Sequence, residues 1–115
     1  MVHMNLLPNF KYAEIKIEKL ANYCLNRFHE RGKDKAYLFE KILGINELHA
    51  HLLKQEILSN LDKYPAIEIK ENEFGKKYSV LMKIKIMGKE GILQTGWIIE
   101  KETDFPRLTS CYIKS

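Results

Sequence analysis

The sequence is poor in the residues that punctuate or staple a chain: two cysteines, three prolines and six glycines among 115 residues. Cys24 and Cys111 lie far apart and are too few for the disulfide framework of a small secreted domain, so cysteine usage points to the cytoplasm. Both read as small buried hydrophobes. Neither a CxxC nor an HExxH spacing occurs, so no structural zinc site is expected, and no cofactor is implied. Sparse Pro and Gly, with 10% aromatics, exclude a collagen-like or disordered chain. No apolar run approaches the ~18 residues needed to span a bilayer. Residues 1–10 lack the basic start, apolar stretch and cleavage site of a signal peptide, so none is expected.

What is present is 45% hydrophobic and 30% charged, with a formal net charge of +4. The length predicts one domain over residues 1–115, with 1–6 disordered or peripheral. A domain of this size buries roughly two-thirds of its unfolded surface and needs no covalent staple. The modest excess of Lys and Arg suits an anionic partner.

The N-terminal half has helical periodicity. Ile17, Leu20, Ala21 and Cys24 share one face. A second helix is expected over about 34–43, with Ala36, Phe39, Ile42 and Leu43 on its buried side and Gly44 as its stop. Asn46 is a suitable cap for a third helix carrying Leu48, Leu53, Ile57 and Leu61 on one face, ended before Tyr64-Pro65.

After Pro65 the period falls to two. A first strand over about 66–73 is followed by Tyr78, Val80, Met82, Ile84 and Ile86, which alternate with a mostly basic outer set that includes Lys77, Lys83 and Lys85. Gly88-Lys89-Glu90-Gly91 reads as the next turn, 92–100 as a third strand holding Trp97, and 107–114 as a fourth. Helices first and strands after them predict an α+β fold. About three helices would pack on one face of a four-stranded antiparallel meander, leaving the other face open for a site.

Two segments carry residues suited to chemistry. His29 sits among Arg27, Arg31, Lys33 and Lys35, where neighbouring cations favour its neutral, proton-accepting form. Lysines opening the following helix oppose its dipole and are poorly placed for stability alone. A solvated charged loop is the alternative reading. His49 and His51 read as surface residues, and His3 lies near the terminus. On the last strand, strict alternation puts Leu108, Ser110 and Tyr112 on one face, and Thr109, Cys111 and Ile113 on the other. If Cys111 and Ile113 face the helices, Ser110 and Tyr112 face outward, able to hold a phosphate or to form an ordinary polar pair. Trp97, on the neighbouring strand, is either core or a base-stacking platform.

The string His29-Glu30-Arg31-Gly32-Lys33-Asp34-Lys35-Ala36, then Phe39, Leu43-Gly44, Gly75-Lys76-Lys77-Tyr78, Trp97 and Pro106-Arg107-Leu108-Thr109-Ser110-Cys111-Tyr112, resembles a small prokaryotic family known as domain of unknown function 6883. The resemblance runs from about Leu7 to Ile113. That family in turn resembles the ribonuclease toxin group of barnase, EndoU, colicin D and RelE-type enzymes. Its members join N-terminal helices to a four-stranded antiparallel sheet, and several place a His near the first helices and a Thr-x-Tyr or Ser-x-Tyr pair on the last strand. The resemblance implies a small toxin acting as a metal-independent RNA endonuclease. Its catalytic residues here would be His29, Lys35, Ser110 and Tyr112. Arg31, Lys33, Trp97 and Thr109 would be substrate-binding. Ser110 stands where the family usually has Thr, with Thr109 adjacent. The implied partners are RNA and a small acidic antitoxin or immunity protein. A non-catalytic nucleic-acid- or protein-binding module, or a phage-associated assembly domain, is the alternative on the same residues.

Overall fold

A computed structural model of the chain describes residues 5–26 and 33–114. Among these residues, three helices precede a four-stranded antiparallel sheet, as the change of period predicts. Helix α1 begins as an α-turn (Ile17–Lys19) and widens into a π-helical turn (Leu20–Cys24). Helix α2 repeats the pattern, α-helical over Lys33–Leu38 and π-helical over Phe39–Leu43. Helix α3 starts with a 3-10 turn (Glu47–His49) and continues as an α-helix over Ala50–Asn60. The strands are β1 (Ala66–Asn72), β2 (Gly75–Ile86), β3 (Lys89–Glu100) and β4 (Arg107–Ile113), in spatial order β1-β2-β3-β4. No helix among the described residues is long and apolar enough to cross a membrane.

The core lies between the helices and one sheet face. Tyr78, Val80, Met82, Ile84 and Ile86 on β2, and Leu93 and Trp97 on β3, meet Leu20, Cys24, Phe39, Leu43, Leu53 and Ile57. The β2–β3 register places Tyr78 opposite Trp97 and Met82 opposite Leu93, which aligns the apolar sets of both strands.

Three details of the helices differ from the sequence expectation. Leu48 is 85% exposed. It falls in the 3-10 turn, out of phase with the buried face that starts at Ala50 and continues through Leu53 and Ile57. Ile42 stands at the rim, because the wider π-turn carries it off the face shared by Phe39 and Leu43. His49 is half-buried and serves as a cap: its Nδ1 accepts the Asn46 N–H at 3.0 Å, while Asn46 Oδ1 accepts the Leu48 N–H at 2.9 Å. His51 is exposed, as expected.

The β2–β3 turn is tighter than expected. Ile86 pairs with Lys89, so only Met87 and Gly88 lie outside the ladder, and Lys89, Glu90 and Gly91 belong to β3. Both turn residues have positive φ, 51° and 84°, as a primed two-residue hairpin requires. Methionine pays a steric cost there that asparagine largely avoids. Met87→Asn is expected to stabilise the fold by roughly 0.5–1 kcal/mol, read as a higher urea midpoint at unchanged slope.

Candidate active site on the open sheet face

The helix-free face is shaped by two bulges, one in each outer strand. In β4, Gly96 pairs with Ser110 but Trp97 pairs with Leu108, leaving Thr109 as an extra residue. A bulge of this kind sends two successive side chains to the same side. Burial follows suit: Leu108, Cys111 and Ile113 are buried, while Arg107, Thr109, Ser110 and Tyr112 are only partly so. This corrects the alternation read from sequence, since Leu108 joins the helix-covered face and Thr109 joins the open one. Ser110 and Tyr112 stand on the open face, as the placement of Cys111 and Ile113 predicted.

Gly96 makes room for the two hydroxyls. A Cβ there would overlap Ser110 Oγ and lie 3.4 Å from Thr109 Oγ1, so the bare backbone lets both side chains settle over β3. In β1, the pairing skips Ile69 between Glu68 and Lys70. Ile69 is exposed and forms one wall of a cleft of about 310 Å³, whose other lining includes Ser79, Gln94, Gly96, Ser110 and Tyr112. The Gln94 amide nitrogen donates to Ser79 Oγ across the β2–β3 pair. Of these residues, sequence reading singled out Ser110 and Tyr112 alone. Ser79 and Gln94 meet only through the strand register, which no local signal reveals.

Helix α2 packs along β4 and brings in the cation. Lys35 is half-buried, with Nζ 5.0 Å from the centroid of the Tyr112 ring. A lysine over an aromatic face is held there by the ring quadrupole. The fold therefore puts Thr109, Ser110 and Tyr112 on the edge strand of the open face, with Lys35 against the Tyr112 ring. Glu14 covers the start of that edge: its N–H donates to the Pro106 carbonyl at 2.8 Å, and its own carbonyl accepts from Leu108 at 3.0 Å. His29 and Arg31 lie outside the described residues. Lys33 opens α2.

Trp97 is not part of this surface. It is 1% exposed on the helix-covered face, and its Nε1 donates to Thr95 Oγ1 at 2.9 Å, which donates on to the Val80 carbonyl at 2.8 Å. The expectation that Trp97 binds substrate is corrected accordingly: a neighbour of Gly96 on the same strand points to the opposite side of the sheet. The basic outer face of β2 is also partly neutralised, with Lys83 Nζ 3.2 Å from Glu90 Oε2.

Directly behind the site, Cys24 and Cys111 are both buried and free, with their side chains hydrogen-bonded to each other. The hydrogen bond from Cys111, opposed by burial and helped by the charges of Lys19 and Lys35, pulls Cys24 below the usual thiol range. Burial first, and then the Cys24 partner, push Cys111 well above it. The pair is packed into the core and inaccessible from the open face.

Comparison with known proteins places this architecture. The chain is similar to a chain in the solved complex of a contact-dependent growth inhibition toxin with its immunity protein from Klebsiella pneumoniae 342. The TM-score is 0.64 at 14% identity, over 87% of this chain and 98% of that one, which is a likeness of fold. No curated protein matches the sequence. A family model does, over residues 6–115, nearly the whole length. The chain that carries this sheet and its double-bulged open face belongs to the family described as Domain of unknown function (DUF6883).

Proposed function

We propose that this protein is a toxin-type RNA endonuclease that cleaves without a metal, by attack of a 2′-hydroxyl on the adjacent phosphate. The observation that carries the reading is an open cleft lined by Ser110 and Tyr112, with Thr109 Oγ1 beside Gly96 and the Lys35 ammonium 5.0 Å from the Tyr112 ring. The chemistry needs a base for the 2′-hydroxyl, a proton for the departing 5′-oxygen, and positive charge and hydrogen-bond donors on the crowded phosphate.

In this reading His29 takes the 2′-hydroxyl proton. The 2′-oxygen then bonds to phosphorus while the bond to the 5′-oxygen breaks. The Lys35 ammonium and the Thr109 and Ser110 hydroxyls hold the non-bridging oxygens, and the Tyr112 hydroxyl delivers a proton to the leaving oxygen. The products are a 2′,3′-cyclic phosphate and a 5′-hydroxyl end. Arg31 and Lys33 add charge along the incoming strand. A nuclease of this kind needs a neutralising partner in the cell that makes it, and a small acidic immunity protein suits a chain of net charge +4. Support for such a partner comes from the fold likeness to a chain of a toxin–immunity complex.

The test is direct. The purified protein is incubated with an end-labelled RNA and with a DNA of the same sequence, in EDTA. The expected result is RNA fragments ending in cyclic phosphate and intact DNA. Cleaved DNA overturns the 2′-hydroxyl mechanism. Intact RNA that is bound with a steep salt dependence replaces the enzyme by a binding module.

A further inference from the structure

The Lys35 edge accounts for one end of the cleft. The other end has a different chemistry. Gln94 on β3 pairs with Tyr112 on β4 but bonds through its side chain to Ser79 on β2, which is two strand spacings, about 10 Å, from Ser110 on β4. That is the reach of a nucleotide from its phosphate to the far edge of its base.

The Gln94 side chain is fixed by the hydrogen bond from its amide nitrogen to Ser79 Oγ. A glutamine amide has two N–H donors and one carbonyl acceptor. With one donor committed to Ser79, one N–H donor and the carbonyl acceptor of the same amide remain. Phosphate and its esters offer acceptors only and cannot satisfy that couple. A nucleobase edge can, and adenine, with N6–H beside N7, is the base a glutamine amide pairs with most readily. Ile69 and Tyr112 add apolar surface to the lining, and Gly96 has no side chain to obstruct a flat ring.

We propose that this end of the cleft is a nucleobase subsite in which Gln94, held by Ser79, reads the base and favours adenine. The assignment rests on the open face being an RNA-cleaving site, but its binding test does not. Adenosine 5′-monophosphate and ribose 5-phosphate are titrated into the isotope-labelled protein while the Gln94 side-chain amide resonances are followed. The nucleotide is expected to shift them and to bind on the order of 10-fold more tightly than the sugar phosphate, with that advantage lost in Gln94→Leu. Equal binding of the two probes, or an advantage that survives in Gln94→Leu, overturns the subsite.

Sequencing the ends of cleaved RNA gives the second arm. Wild type is expected to enrich adenine at one position beside the cut, and Gln94→Leu to lose the enrichment. Cleavage with the same base profile in both proteins removes the subsite and leaves the nuclease. Uncut RNA together with nucleotide-specific shifts at Gln94 removes the nuclease and leaves the subsite. A Gln94→Leu unfolding midpoint equal to wild type shows that the loss is one of recognition.

Discussion

His29→Ala is expected to slow RNA cleavage by roughly 10²–10⁴-fold, the contribution of a positioned general base or acid. The argument starts from sequence. Of the titratable groups proposed for the site, only a histidine ordinarily changes protonation between pH 5 and 8. Lys35 supplies charge, the hydroxyls of Thr109 and Ser110 supply hydrogen bonds, and Tyr112 is the proton donor to the leaving oxygen. A reaction that must remove a proton from a sugar hydroxyl therefore loses its base with His29. In sequence His29 is flanked by Arg27, Arg31, Lys33 and Lys35, a pattern expected to favour the neutral, proton-accepting form. Cleavage should fall as His29 becomes protonated on acidification, and that limb of the pH profile should vanish in His29→Ala. The thermal midpoint should stay within a degree or two, which separates lost chemistry from lost structure. Lys35→Arg is the companion variant. It preserves charge but replaces a point-like ammonium with a planar fork, so an enzyme should be slowed where a purely electrostatic binder would be indifferent. Full activity in His29→Ala assigns the proton transfer to another group.

The largest effect on stability is expected at Trp97. It is among the largest fully buried side chains, on the sheet face against the helices. Truncating a buried tryptophan to alanine costs about 3–5 kcal/mol, of the same order as the whole stability of a small domain. The variant should melt on the order of 10–20 °C lower or fail to accumulate. Trp97→Phe keeps most of the packing and gives up the hydrogen bond to Thr95, so roughly 1–2 kcal/mol is expected. Urea titrations of the two variants give the comparison. A cost below 1 kcal/mol for Trp97→Ala would place the indole outside the core. A selective loss of RNA affinity in a fully stable Trp97→Phe would restore the stacking role that its burial argues against.

The period-two runs of β2 and β3 and the helical spacing around Cys24, Phe39 and Ile57 were sufficient for the architecture, because each element buries one face and the faces must meet. Ser110 and Tyr112 were legible through Cys111 and Ile113, whose apolar side chains fix the opposite face. Lys35 stood out because a cation at a helix start is electrostatically misplaced, and the Tyr112 ring beneath it is the compensation. The position of Leu108 was misread by assuming strict alternation. A signal was present: buried apolar residues at 108, 111 and 113 are spaced three and then two, which an unbroken strand cannot accommodate. Gln94 and Ser79 carried no such signal, since their meeting depends on which residues face each other across separate strands. The same holds for Ile42 and Leu48, whose phase is set by π and 3-10 turns that lie outside the ordinary helical period.

The Thr109 bulge has a consequence for how this chain can change. Deleting one residue from a strand normally flips every side chain beyond the gap, exchanging core for surface. Deleting Thr109 would not. Leu108 and Ser110 already pair with the consecutive residues Trp97 and Gly96, so closing the gap leaves an unbroken ladder with each remaining side chain on its present face. The residue is in effect an insertion whose side chain lands in the site and whose removal spares the core. Here a lineage can add or shed a hydroxyl by a single-codon indel, and the cleft and the scaffold beneath it can drift on separate clocks.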